Sequence, residues 1–167
     1  HLYSKIGSHI FSKNFNEVIS NFFEIKNSIN IDSKVNKFLN DNEADVLLAL
    51  TSAGLGSGKK MIKNDKIYIC EQSSSHIIYQ NDILKEEYKE FVNKDYKVNS
   101  WFIDRALEEF ETANIILSPS TFVKKSFSNS IYLDKISIVE FGIDNKNFFP
   151  IKGFKKNQKH FNVLFIA

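Results

Sequence analysis

The scarcest residues in this chain say the most about what it is not. Its 167 residues include one cysteine, Cys70, one methionine, one tryptophan, six glycines and two prolines. A single thiol excludes an intrachain disulfide framework and any multi-cysteine metal site. The four histidines, His1, His9, His76 and His160, are scattered, and no His/Cys/carboxylate set has metal-ligand spacing. Of 22 basic residues only Arg105 is an arginine. Bidentate contacts to bases and phosphates favour arginine, so the composition argues against a nucleic-acid partner. The 20 acidic residues leave a net charge of +2, with no strong field for a polyanion. Apolar runs are short: Val46 to Leu50 and Ile115 to Leu117 fall far below the roughly 20 residues that cross a bilayer. A reduced thiol and no export signal lead us to expect a cytoplasmic protein. The start at His1, without a methionine, leads us to expect a fragment or a processed product.

What is present is ordinary globular material, 43% hydrophobic and 25% charged. Helical spacing joins Phe15, Val18, Ile19, Phe22 and Phe23, and again Ile31, Val35, Phe38 and Leu39 behind the cap candidates Asp32 and Ser33. The run Asp45 to Leu50 suits a strand buried on both faces. A turn-rich segment from Thr51 to Gly58, a helix and a second strand at Lys66 to Glu71 follow. Helical patterns cover His76 to Val92, with Ile77, Leu84, Tyr88 and Phe91 along one stripe, and Phe102 to Glu111. A third strand, Ala113 to Leu117, runs into Ser118-Pro119-Ser120, where serine as cap and proline at the first helical position open another helix. A fourth strand is expected at Lys135 to Phe141 and a fifth at Phe161 to Ala167. Strands alternating with crossover helices imply α/β architecture, an open, doubly wound parallel sheet of Rossmann-like kind with flanking helices.

Three places could carry chemistry. Gly54-Leu-Gly-Ser-Gly-Lys-Lys60 imitates a phosphate-cradling loop, but that loop needs glycine at Ala53 and a hydroxyl at Lys60. We therefore read the string as a turn opening a helix. Glu71-Gln-Ser-Ser-Ser-His76 lies where a buried strand ends and a helix begins, the edge at which open α/β sheets bind ligands. His76 there is either a first-turn residue beside capping serines or a proton shuttle or hydrogen-bond donor to a sugar or phosphate. A serine-hydrolase triad from Ser118 or Ser120, His76 and Asp144 can be written, without the expected Gly-x-Ser-x-Gly elbow. Glu109 and Glu111 are read as the solvated face of a helix, and Gly142 as a tight-turn residue.

Taken together, Glu109-x3-Ala113-Asn114-x-Ile116-x2-Pro119-Ser120-x-Phe122-x3-Ser126-Phe127, Lys135-Ile136 and Phe141-Gly142-Ile143-Asp144-x3-Phe148-x-Pro150 resemble the acceptor-side half of retaining glycosyltransferases of the GT-B fold, family 4. Ser74-x-His76, with Gln80 and Glu86-Glu87, is similar to one branch of that family. Asn114 stands for the family's usual aspartate, Gln72 for a small residue and Ala167 for glycine. The resemblance implies an acceptor-side Rossmann-like domain over residues 1–150 lacking its first strand, a linker over 151–160, and the first strand of a donor-binding domain at 161–167. It implies transfer of a sugar from a nucleotide-sugar donor to a glycan, lipid or small-molecule acceptor, with retention and no obligatory metal. Such acceptors leave room for peripheral membrane contact by the full-length parent. It implies that His76 is catalytic, that Glu71 and Ser75 line the substrate cleft, and that Gly142 and Asp144 form the hinge. The alternative is a non-catalytic α/β module that binds a sugar or a nucleotide.

Overall fold

The structure, a computed structural model, describes residues 2–149, and side chains from Val18 onward. The linker at 151–160 and the strand expected at Phe161 to Ala167 lie outside the described residues. The elements run α1 (Leu2–Asp41), β1 (Val46–Leu50), α2 (Leu55–Lys63), β2 (Ile67–Glu71), α3 (Ile77–Glu87), α4 (Ser100–Thr112), β3 (Ile115–Ser118), α5 (Thr121–Ser126) and β4 (Ile136–Ile138). All four strands pair in parallel in the order β1-β2-β3-β4. The fold is α/β with an open parallel sheet, as the alternation of periods implies.

Register decides which side chains meet. Leu47 pairs with Tyr68, and Ala49, Cys70, Ile116 and Ile136 fall in one row. These side chains share a core with Met61 of α2, Ala106 and Phe110 of α4, and Val123 and Phe127 of α5. Every helix that reaches the core thus lies on one face of the sheet. The sequential strand order requires this, because right-handed crossovers advancing in one direction all pass over the same side. The core is aromatic: Phe110 and Phe127 meet edge to face at 5.2 Å, and Phe110 meets Tyr132 at 5.9 Å. Burial raises the Cys70 thiol to about 12, so the one cysteine is an unreactive core residue.

Several boundaries differ from expectation for identifiable reasons. The two helical patterns before residue 41 form one continuous α1, and Asp32 caps α2 instead of starting a helix of its own. β1 is not buried on both faces: Val46, Leu48 and Leu50 are 50%, 54% and 55% exposed. An all-apolar run cannot reveal that only its odd-numbered members, Leu47 and Ala49, have helices above them. The pattern from His76 to Val92 ends as α-helix at Glu87 and closes with one π turn, Tyr88–Val92, leaving Phe91 exposed. The α5 cap is Ser120, whose hydroxyl accepts from Val123 N–H, so Pro119 precedes the cap and Ser118 remains in β3. β4 stops at Ile138, short of Phe141.

Side chains tie the layers at defined points. Asn114 Oδ1 accepts the Tyr68 N–H at 2.8 Å, a contact an aspartate at that position can also make. Lys135 Nζ donates to the carbonyls of Phe110, Glu111 and Ala113, closing the C-terminus of α4. Gly54 and Gly58 are required by close packing: a Cβ on Gly58 would lie 2.4 Å from the Tyr68 ring, and one on Gly54 2.5 Å from Ala49 Cβ. A Cβ on Gly56 would meet the Asp32 carboxylate at 3.2 Å and the Asn36 side-chain amide at 3.5 Å, with no backbone or ring atom among its three nearest neighbours. Gly58→Ala is therefore expected to lower unfolding free energy by about 1–3 kcal/mol through overpacking. Gly56→Ala is expected to stay within about 1 kcal/mol of wild type, because alanine favours the helix. Chemical denaturation of the two variants checks the difference.

Candidate functional site

The carboxyl edge of the sheet is where the loops after β1 and β2 meet, and two polar systems shape it. The first surrounds the sole arginine. Glu109, on α4, is 0% exposed. Its carboxylate accepts the backbone N–H of Ser52 and that of Gly54, the latter at 3.0 Å. Arg105, one helical turn earlier, donates from Nε to the Ser52 carbonyl at 2.7 Å and from Nη2 to Asp32 at 2.7 Å. Asp32, reaching over from α1, accepts the N–H groups of Gly56 and Ser57 at 2.7 and 2.8 Å and the Ser57 hydroxyl at 2.6 Å. The expectation that Glu109 faces solvent is thus corrected. Its i and i+4 neighbours cannot reveal that a loop distant in sequence needs an acceptor there.

This network answers the phosphate-loop resemblance. The amides around the start of α2 that could cradle a phosphate already serve two internal carboxylates. The lysines point elsewhere, Lys59 to Glu108 and Lys60 to the Asn36 carbonyl and Asn40. Ser52 adopts φ 75°, a left-handed conformation that costs a non-glycine residue about 1–2 kcal/mol. Glu109 and Arg105 bind its two backbone groups and hold it there. Burial pulls the Asp32 pKa upward, but the Ser57 hydroxyl, the two amides and Arg105 outweigh it and hold the carboxyl below its usual value. At Glu109 burial prevails over the Ser52 and Gly54 amides and Arg105, and the pKa is raised.

The second system is built on Gln72, which is buried. Its Oε1 lies 2.5 Å from the Thr51 hydroxyl, and its Nε2 donates to the carbonyls of Ser74 and Ser75 at 3.0 and 2.9 Å. One amide therefore fastens the loop after β2 to the end of β1. Beside it opens a cavity of about 290 Å³ whose wall includes Thr51, Ser52, Gln72, Ser74, Gln80 and Phe102.

None of the cavities formed by the described residues is lined by Glu71, Ser75 and His76 together. Glu71 ends β2, and the Ser75 carbonyl is used by Gln72; the wall of the edge cavity takes their neighbours Gln72 and Ser74 instead. His76 is 7% exposed and serves as the N-cap of α3. Its Nδ1 accepts the Ile78 N–H at 3.2 Å, and its own N–H donates to Ser126 Oγ at 2.8 Å. Its ring packs on Phe127 and Phe110 at 4.6 and 5.6 Å. It borders a different cavity, about 360 Å³, shared with Tyr79, Asp82, Ser128 and Tyr132. Burial lowers the His76 pKa, so the ring is neutral near pH 7, and with Nδ1 accepting, the proton sits on Nε2. The hydrolase arrangement does not assemble: Ser118 donates to the Ser120 carbonyl, Ser120 caps α5, and Asp144 accepts the Lys146 N–H and the Asn147 side chain. A Cβ on Gly142, the other hinge candidate, would touch nothing within 4 Å. Among the described residues no group of His, Cys, Asp and Glu could hold a metal ion.

Thr51 was not singled out from sequence, Gln72 was noted only as a replacement and Gln80 only as part of the Ser74-x-His76 string, because only the parallel register of β1 and β2 sets the Thr51 and Gln72 loops side by side. Comparison with protein-family models, with curated proteins and with solved structures finds no match to this chain.

Two outcomes follow from this geometry. Arg105→Met leaves two buried carboxylates without their counter-charge and is expected to cost about 3–5 kcal/mol of unfolding free energy. Urea titration measures it. For His76 the folded pKa lies below the unfolded 6.5, so the unfolded chain binds the proton more readily. Stability is therefore full above pH 6.5 and falls as pH drops from there toward the folded pKa. His76→Asn, which keeps a capping side chain, is expected to remove that part of the slope in a pH series of melts.

Proposed function

We propose that this chain is part of a sugar-transferring enzyme of the GT-B kind, contributing the acceptor side, and that the cavity at the carboxyl edge receives the acceptor. The observation that carries the reading is the lining of that cavity, where the Gln80 side chain and the ring of Phe102 stand beside Ser52 and Ser74 at the end of a parallel sheet. An amide and hydroxyls beside an aromatic ring, with Glu24 also in the wall, suit a polyhydroxylated acceptor. The motif string from Glu109 to Pro150 supports the same assignment.

In this reading the donor, a nucleotide sugar, is held by a second domain, and the acceptor hydroxyl attacks the anomeric carbon as the nucleoside diphosphate leaves. The groups of this chain bind and orient the acceptor. His76 acts here as a positioning residue: it caps α3, the helix that carries Gln80, and joins it to α5 through Ser126. A nucleotide-binding role is less favoured, since the amides at the start of α2 are filled by Asp32 and Glu109.

Gln80→Ala in the full-length parent is expected to raise the KM for acceptor about tenfold, the effect of one lost hydrogen bond of about 1.4 kcal/mol. Its stability should stay within about 0.5 kcal/mol of wild type. Transfer assays with a panel of nucleotide sugars read it, and the isolated 167-residue chain is expected to give no turnover. Transfer by the isolated chain, or no transfer by the parent with any nucleotide sugar, contradicts the proposal.

A further inference from the structure

The cavity at the carboxyl edge holds a charge that its polar neighbours do not use. About 290 Å³ in volume, it is walled by Glu24 of α1, Gln80 of α3 and Phe102 of α4, together with Ser52 and Ser74 of the two loops. The helices thus bring an anion, an amide and an aromatic ring to one space. Hydrogen bonding separates the wall groups that are spent from those that are free. The Thr51 hydroxyl is taken up by Gln72 Oε1 and the Glu71 carbonyl. Gln72 Nε2 is taken up by the Ser74 and Ser75 carbonyls. The Gln80 side chain has no partner among the described residues, and the Glu24 carboxylate has only the Ser20 hydroxyl, at 2.9 Å. One hydroxyl fills one of roughly four acceptor sites on a carboxylate, so Glu24 is left with most of its capacity.

Fixed charge around this space is negative. Among the described residues the wall contains no lysine, arginine or histidine. Arg105, which binds the Ser52 carbonyl, is already matched by Asp32 and Glu109. A carboxylate or phosphate on an incoming ligand would therefore meet Glu24 with no cation to offset it, and like charges set side by side exclude a partner. A protonated amine would instead donate to a free carboxylate, the stronger class of hydrogen bond. Volume limits the size. Small-molecule pockets start near about 300 Å³, so this one takes a single ring and not a chain.

We infer that the acceptor is a single-ring polyol bearing a protonated amine, an amino sugar or aminocyclitol, and that Glu24 sets this preference. The amine pairs with Glu24, a ring hydroxyl with Gln80, and the apolar face of the ring with Phe102. This rests on reading the cavity as the acceptor site. The test is equilibrium binding of D-glucosamine, D-glucose and D-glucuronate to the full-length parent, followed by ligand-observed NMR titration slightly below neutral pH, where the amine is protonated. Glucosamine and glucose differ at one substituent, so their ratio isolates the charge. Glucosamine is expected to bind about fivefold tighter than glucose, the size of one partly exposed ion pair, and glucuronate weakest. Glu24→Gln is expected to bring glucosamine and glucose within about twofold of each other, and Glu24→Lys to place glucuronate first. Glu24 is exposed on its helix, so both variants are expected to fold. Equal affinities in the wild type, glucuronate bound tightest, a glucosamine preference that survives Glu24→Gln, or no binding of any probe each overturn the inference. Transfer assays on the same preparations separate the two claims. Amine-selective binding by a parent that transfers no sugar removes the transferase reading and keeps this one. Transfer to glucose and glucuronate as readily as to glucosamine does the reverse.

Discussion

The edge of this sheet depends on one arginine. Arg105 lies between two buried carboxylates, and all three groups end on the same short loop: Glu109 on the amides of Ser52 and Gly54, Arg105 on the Ser52 carbonyl, and Asp32 on the amides of Gly56 and Ser57. α1, the β1–α2 loop and α4 are fixed to one another by charge-assisted hydrogen bonds where no apolar contact could specify so sharp a path. A buried pair of carboxylates without a cation is very costly, so no member can be removed alone. The amides at the start of α2 are also closed to an outside anion.

With that loop fixed, the rest of the edge falls into place. Thr51, the first residue after β1, is held where its hydroxyl meets Gln72, and Gln72 holds the turn that leads to His76. His76 in turn sits on Phe110, the neighbour of Glu109 on α4. The aromatic core and the polar edge are therefore two sides of one helix, α4, with Ala106 and Phe110 turned to the sheet and Arg105 and Glu109 to the loop. The wall of the cavity beside Gln72 is built on this scaffold of internal hydrogen bonds, which sets its shape.

Much of the fold was legible because its signals are local. Alternating periods gave four of the strands and their crossover helices in order, and Ser118-Pro119-Ser120 announced the next helix, although its cap is Ser120, two residues beyond the serine that precedes the proline. What was not legible depends on contacts between distant segments. Asp32 reads as a helix start, yet the helix it caps begins at Leu55. Glu109 reads as a solvated helix residue, because the loop that buries it is more than fifty positions away. The strand Val46 to Leu50 is apolar throughout, so its sequence does not distinguish the covered face from the bare one. His76 was legible as a residue at a strand end, and its burial in a box of Phe110 and Phe127 was not. Gln72, passed over as an unusual replacement, is the amide that holds the loop together.

The most direct measurement of this account is a double-mutant cycle between Arg105 and Glu109, using Arg105→Met and Glu109→Gln and unfolding free energies from denaturant titration. The structure predicts a coupling of about 1–3 kcal/mol, because each substitution strands the partner that the other leaves unpaired. A coupling below about 0.5 kcal/mol would mean that the two residues act independently, and that the loop at the edge of the sheet is held by something else.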